Sequence, residues 1–204
     1  MVSYASIRAL ACECRKLDRL DVVILNAGVQ TPKLERHPQT GHPTTFQVNY
    51  LSTMLLAQLL VPIMRDKARH GEPGRLSVVA SDMPYSHKLK AVGPVIPQCD
   101  KETGWDEYVA YSNSKLALVA SVATLAEQVS ADEVVINTVN PGLCAGTDLK
   151  KKTGEPLFDG LFVPAFIRLL GRSIEIGAST YINGAVVQGR ESHGSYTSDW
   201  TIKP

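Results

Sequence analysis

The sequence predicts an α/β protein built on a parallel sheet with helices on both faces, and three observations carry that prediction. Short, continuous apolar runs rich in β-branched residues recur along the chain, as strands buried on both faces require. Long helical periodicities separate them. Each run also stops at turn-forming or small polar residues: Asn26-Ala27-Gly28 after the first, Ser81 after the second, Asn140-Pro141-Gly142 after the third. Helices of this length between buried strands imply right-handed crossovers, and ligands then bind beyond the strands' C-terminal ends.

The elements follow in order. Ile7, Leu10, Ala11 and Leu17 at helical spacing, with Ser3 placed to cap, predict a surface helix. Asp21 to Leu25 is the first strand, and the loop from Gln30 to Pro43 is polar. Thr44 to Met64 reads as a long amphipathic helix with Met54 and Met64 as core filling, and a Gly/Pro turn from Gly71 to Gly74 leads into a strand over Arg75 to Ala80. After a loop from Asp82 to Gly104, a helix runs from about Glu107 to Val129, with Asp106 and Glu107 as solvated charges favoured by the helix dipole. Val134 to Val139 is the third strand. Pro156 to Leu170 is apolar and helical, Ser173 caps a helix through about Val187, and a short tail contains Tyr196 to Ile202.

Composition narrows the function. With 204 residues, 44% hydrophobic and 20% charged, the chain can bury a core. A net charge of +1, with no Lys/Arg run longer than three, offers no field for nucleic acid or an anionic membrane, so a small molecule is the expected partner. Leu51 to Met64 and Leu116 to Leu125 are too short to cross about 30 Å of hydrocarbon, and the N-terminus lacks a basic segment followed by an apolar one. These features predict an intracellular, cytoplasmic protein. The scattered Cys12, Cys14, Cys99 and Cys144 fit a reducing compartment. Together with His37, His42, His70, His87 and His193 they lack the spacing of a metal site, and none is expected.

The chemistry concentrates in Tyr111-Ser-Asn-Ser-Lys115. Residues four apart share a helix face, and a phenol with an ordinary pKa near 10 serves as a proton donor or acceptor at neutral pH only if a nearby cation steadies its anion. Lys115 can supply that cation. Tyr108 is the weaker candidate, since the residue four positions on is Ser112. Alone, a Tyr/Lys pair is common on helix faces; the ordered set Asn26-Ala27-Gly28, Phe46-Gln-Val-Asn49, Ser81, Tyr111/Lys115 and Asn140-Pro141-Gly142, all at strand ends or the helices beside them, is far more specific.

That order and spacing resembles the short-chain dehydrogenase/reductase family, most closely its retinol-dehydrogenase-like and fungal secondary-metabolism members. Later marks of the resemblance are Asn140-Pro-Gly-Leu-Cys-Ala-Gly-Thr-Asp-Leu149, Ile174-Glu-Ile-Gly-Ala178 and Glu191-Ser-His-Gly-Ser-Tyr-Thr-Ser-Asp199. It implies a nicotinamide-dependent oxidoreductase that interconverts an alcohol and a ketone, using NADP or NAD, with NADP favoured by the resemblance alone. Tyr111 would be the general acid/base, Lys115 would lower its pKa and bind the nicotinamide ribose, and Ser81 would hydrogen-bond the substrate oxygen. Asn49 would hold a water linking Lys115 to solvent; the other reading of Asn49 is helix-face polarity or local capping. Asn26, Ala27 and Gly28 would line the adenosine side, and Pro141, Gly142 and Thr147 the nicotinamide end. Gly28 and the Pro141-Gly142 pair can also be read as turn punctuation. Thr147 departs from the pattern, standing farther from the Pro-Gly pair than is usual in the family.

The resemblance also implies a Rossmann-like doubly wound sheet of family order 3-2-1-4-5-6-7. No Gly-x-x-x-Gly-x-Gly occurs in these 204 residues, so residues 1–204 are expected to form a single partial domain, truncated at its N-terminus, with the first three strands absent. Asp21 to Leu25, central in the family's sheet, would then be an exposed edge prone to self-association. The segments 83–104 and 149–170 would cover the substrate. Leu157, Phe158, Leu161, Phe162, Val163 and Phe166 suggest a hydrophobic alcohol or ketone, or else a dimer face or an ordinary amphipathic helix. The competing function is a non-catalytic remnant acting through protein association or without activity.

Overall fold

The computed structural model describes residues 3–69, 71–86, 89–90, 92–101, 104–145, 149, 169 and 171–203. Five strands form one sheet in the order β1-β2-β3-β4-β5: β1 (Val22–Leu25), β2 (Gly74–Val79), β3 (Val134–Asn140), β4 (Tyr196–Ser198) and β5 (Thr201–Lys203). The first four are parallel, and β5 turns back antiparallel on β4. This is a Rossmann-like α/β fold, with the four parallel strands side by side as expected.

The strand β5 was not anticipated. A two-residue turn joins it to β4, with Asp199 and Trp200 at φ of 52° and 59°. Tight hairpins favour Asn-Gly or Asp-Gly because both central residues need positive φ. Trp in the second position hides that signal.

One face of the sheet is covered by α1 (Tyr4–Arg15), α2 (Thr44–Lys67) and α4 (Glu107–Ala126), the last preceded by the short helix α3 (Val95–Cys99). Successive strand residues point to opposite faces, so Leu76, Val78, Val134 and Ile136 enter one core with Ile7, Leu60 and Leu118. The other face receives α5 (Ile174–Ile182) and the wider π turn Asn183–Val187 that continues it. There Asn137 donates to the Gly184 carbonyl at 2.8 Å and to Ser192 Oγ at 3.0 Å, while Ser77 donates to Asn137 Oδ1 at 2.7 Å. A buried polar layer is tolerable because each member is bonded.

The caps match their elements. Ser3 Oγ accepts from Ser6 N at 3.3 Å and Ser173 Oγ from Ile176 N at 3.3 Å. Asp106 is more than the solvated charge expected from the sequence: its Oδ1 accepts from Tyr108 N at 2.8 Å and Val109 N at 3.0 Å, satisfying donors that the first turn of α4 leaves unpaired. The helix α2 also differs from expectation. It is long and apolar enough to cross a membrane, but 67% of its most apolar window is buried inside the fold.

Candidate active site

Each site residue is placed by the end of a strand or by a helix beside it. Ser81 follows β2, Asn26 to Gly28 follow β1, and Pro141 and Gly142 follow β3, while Tyr111 and Lys115 stand one turn apart on α4. Asn49 lies in a π turn, Gln47–Ser52, within α2. The extra residue per turn is a common device at functional sites. Asn49 is 1% exposed and clamps the backbone beyond Gly28 from both sides: its Oδ1 accepts from Val29 N at 2.8 Å, and its Nδ2 donates to the Val29 carbonyl at 2.9 Å. Nδ2 also donates to Ser114 Oγ at 3.1 Å, which ties the loop after β1 to the helix of Tyr111 and Lys115.

Lys115 is buried, and its ammonium donates to the Val79 carbonyl at 2.8 Å. Leu25, the last residue of β1, pairs with Val78, so the Val79 carbonyl lies past the end of that ladder and is free for the lysine. Burial pulls the Lys115 ammonium down to about 8. Burial also pushes the Tyr111 phenol up to about 12; a hydrogen bond with Ser81 opposes this, and Asp82 and Tyr181 add to it. Lys115 Nζ lies 5.8 Å from the Tyr111 ring centroid. The sequence led us to expect Lys115 to lower the phenol; here burial outweighs any such effect, and the ammonium is turned to Val79.

Gly28 joins the two halves of the site. A Cβ added there would lie 3.5 Å from both Asn49 Oδ1 and Lys115 Nζ, and 3.8 Å from Leu149 Cδ1. Its φ is not positive, so the turn does not require glycine; the missing side chain keeps room in front of Lys115 and Asn49. Gly142 is glycine for backbone reasons, with φ +70 and Arg172 Cζ 2.8 Å from where its Cβ would be.

Ser81 Oγ accepts from Met83 N at 3.2 Å and donates to Asp82 Oδ1 at 3.4 Å, beside its bond with Tyr111. A cavity of about 490 Å³ opens next to it, lined by Asp82, Asn140, Gly142, Arg172, Asp199 and Lys203 among others. This part of the wall is mixed, its charged side chains interrupted by Leu143. The apolar run containing Leu157, Phe158 and Phe166 lies outside the described residues, as does Thr147.

The structure brings Asn49, Ser81, Tyr111, Lys115 and Gly28 into one connected constellation. Asn26 lies at its rim, where Tyr181 donates to its Oδ1 at 2.9 Å. Sequence reasoning missed Tyr181, Tyr196 and Arg172. Tyr181 bonds a residue 155 positions away and Tyr196 one 115 positions away, and no local pattern announces such contacts. Among the described residues no group of His, Cys, Asp or Glu is arranged to hold a metal.

The sequence profile of the short chain dehydrogenases matches residues 1–89 and 100–157. Over its full length the chain is 41% identical to the short chain dehydrogenase virL of Hypocrea virens, covering 60% of that protein. It is 39% identical to the short chain dehydrogenase/reductase mfmJ of Annulohypoxylon moriforme, again covering 100% of this chain and 60% of the relative. The chain thus spans about 60% of the length of these curated relatives. Among solved structures, the Pseudomonas aeruginosa RhlG/NADP active-site complex superposes with a TM-score of 0.64 at 22% identity, over 97% of this chain and 72% of that one.

Proposed function

This chain belongs to the short-chain dehydrogenase family, and from that premise we propose that it carries the proton-transfer and nicotinamide-side residues of an NAD(P)-dependent oxidoreductase interconverting an alcohol and a ketone. The observation that carries the reading is one connected chain of groups: Ser81 bonds the Tyr111 phenol, Lys115 lies 5.8 Å from the Tyr111 ring, and Lys115 and Asn49 both face Gly28.

The chain's own residues divide the work. Tyr111 gives its phenolic proton to a substrate oxygen in reduction and takes it back in oxidation. Ser81 has one hydroxyl proton, which eases ionisation of the phenol when turned to it and holds the substrate oxygen when turned there. Lys115 spends one of its three N–H donors on Val79 and has two left for ribose hydroxyls at Gly28. Asn49 fixes the backbone after Gly28 and, in this reading, holds the water through which Lys115 exchanges protons with solvent. Asn26, Ala27 and Gly28 border the adenosine side, and Pro141, Gly142 and Thr147 the nicotinamide end. When bound, the dinucleotide supplies or accepts the hydride. The donors at Gly28 fit the ribose of such a cofactor; NADP is the first choice, since the RhlG complex contains it.

The substrate we propose is a hydrophobic small molecule, in keeping with the apolar 157–166 stretch, and fungal secondary metabolism is the proposed setting, given relatives from Hypocrea and Annulohypoxylon. A reducing, intracellular environment suits Cys12, Cys14, Cys99 and Cys144, all present as free thiols. Among the described residues β1 pairs on one side alone, and the protein contact proposed for residues 1–204 is self-association through its other side.

Titration of the purified protein with NADPH and with NADH, following nicotinamide fluorescence, tests the reading. Saturable binding that weakens about tenfold or more in Lys115→Ala supports it. Folded protein that binds neither cofactor at millimolar concentration would overturn the oxidoreductase reading for residues 1–204.

A further inference from the structure

We propose that Tyr196 is a positioning residue for Ser81, tying the C-terminal β-ribbon to the reacting end of the site; its catalytic meaning rests on the oxidoreductase reading above. The Tyr196 hydroxyl donates to the Ser81 carbonyl at 2.9 Å. Tyr196 stands on β4, whose parallel neighbour is β3, so the phenol reaches past β3 to the loop after β2. The ladder between β2 and β3 closes with Val79 opposite Val139 and Ala80 N donating to the Val139 carbonyl at 2.8 Å. Ser81 lies just beyond, where the ladder no longer holds its peptide, and the phenol supplies a donor.

The tie is rigid at both ends. Tyr196 is held by Thr138 on one side and by Lys203 on the other, so its ring projects from a paired backbone. Ser81 Oγ meets Met83 N and the Tyr111 phenol. Fixing the Ser81 peptide therefore fixes the point from which Oγ approaches Tyr111, and an error of about 1 Å in such a placement can cost up to 10²-fold in rate. Among the described residues, the titratable and charged groups around Tyr111 are Asp82 from the loop after β2, Tyr181 from α5 and Lys115 from its own helix. Of the groups bonded to the phenol, Ser81 is the one Tyr196 holds directly.

Tyr196→Phe keeps the ring and removes only the bond. The protein is labelled with 3-fluorotyrosine, and the Tyr111 fluorine resonance is assigned by its loss in Tyr111→Phe. Ser81→Ala moves that resonance. Tyr196→Phe is expected to move it in the same direction, and to move it no further when Ser81 is already alanine. A resonance unmoved by Tyr196→Phe, or one moved equally in the presence and absence of the Ser81 hydroxyl, overturns the proposal.

In turnover, Tyr196→Phe is expected to lower kcat about tenfold, leave nicotinamide affinity within about twofold, and displace the pH limb of alcohol oxidation upward. The upward direction follows because Ser81's bond is what lowers the Tyr111 phenol. An unchanged kcat and pH limb overturn the proposal. The fluorine measurement needs no cofactor. Failure of wild-type protein to bind NADPH or NADH therefore sinks the oxidoreductase reading alone, while the fluorine comparison still decides whether Tyr196 places Ser81.

Discussion

Every residue of β3 and all but Arg75 of β2 are buried, whereas β1 leaves Val22 41% exposed and buries only Leu25. The groups that would move protons lie with the buried interior: Ser81 extends β2, and Lys115 is fixed on the carbonyl of Val79. The residues after β1 are small and open, with Gly28 leaving room beside Lys115 and Asn49. The interior fixes geometry and shifts proton affinities through burial. The loop after β1 keeps space for what must arrive and leave.

If that division is right, the largest effect comes from removing a proton from the interior. Tyr111→Phe is expected to lower kcat by about 10² to 10⁴ while the urea midpoint changes little, because the ring stays packed and only the bond with Ser81 is lost. Steady-state kinetics paired with equilibrium unfolding checks both halves. A large loss of stability would mean the phenol is structural.

Lys115 should show the opposite trade. Its ordinary pKa of 10.5 falls to about 8 in the fold. Between those values the unfolded chain holds a proton that the folded chain has released, so stability rises with pH through that window; below pH 8 the folded protein carries the buried charge at full cost. At about 1.36 kcal/mol per pH unit, that cost at neutral pH is on the order of 3 kcal/mol. Lys115→Met, nearly matched in volume, is expected to gain about 1–3 kcal/mol at pH 7, reduced by loss of the Val79 bond, with the gap to wild type narrowing toward pH 10. Above pH 10 the raised Tyr111 works the other way, since the unfolded phenol ionises first. Urea unfolding at pH 7 and 9.5 separates these effects, and a constant gap would refute the buried-charge account.

Gly142→Ala probes the far side of β3. It forces a side chain onto a backbone at φ +70 and against the Arg172 guanidinium, which is paired with Asp199 at 2.8 Å. A loss of about 1–3 kcal/mol is expected in thermal or urea unfolding. Gly28→Ala, where φ is not positive and the nearest atoms lie at 3.5 Å, should keep its stability within about 0.5 kcal/mol and lose nicotinamide affinity instead.

The same division explains what the sequence disclosed. Val134 to Val139 and Arg75 to Ala80 were legible as strands because continuous burial selects continuous apolar runs. Tyr111 and Lys115 were legible because a helix turn converts spacing into proximity. The π turn at Gln47–Ser52 was not, since its residues read equally well as α-helix, yet it carries Asn49. Tyr181 and Tyr196 were hidden because contacts across more than a hundred residues depend on the assembled sheet. The direction of Lys115 was hidden for a similar reason: only the relative lengths of β1 and β2 leave the Val79 carbonyl for it.

The smallest effect on stability, and a decisive one for the edge, is expected at Val22. A strand that pairs on one side presents unmatched N–H and C=O groups on the other, and neighbouring apolar side chains make the edge a template for another chain. Among the described residues, β1 has β2 as its one strand neighbour, and Arg19 and Asp21, paired at 2.7 Å, spend their charges on each other. Val22→Lys places a charge on the edge where the side chain is already 41% exposed, so its cost in unfolding free energy should stay within about 0.5 kcal/mol. The unsubstituted 204-residue chain is expected to gain apparent mass with concentration in light scattering, and Val22→Lys to hold a constant mass over the same range. A wild-type mass that stays monomeric throughout would show that the open side of β1 does not recruit a second copy.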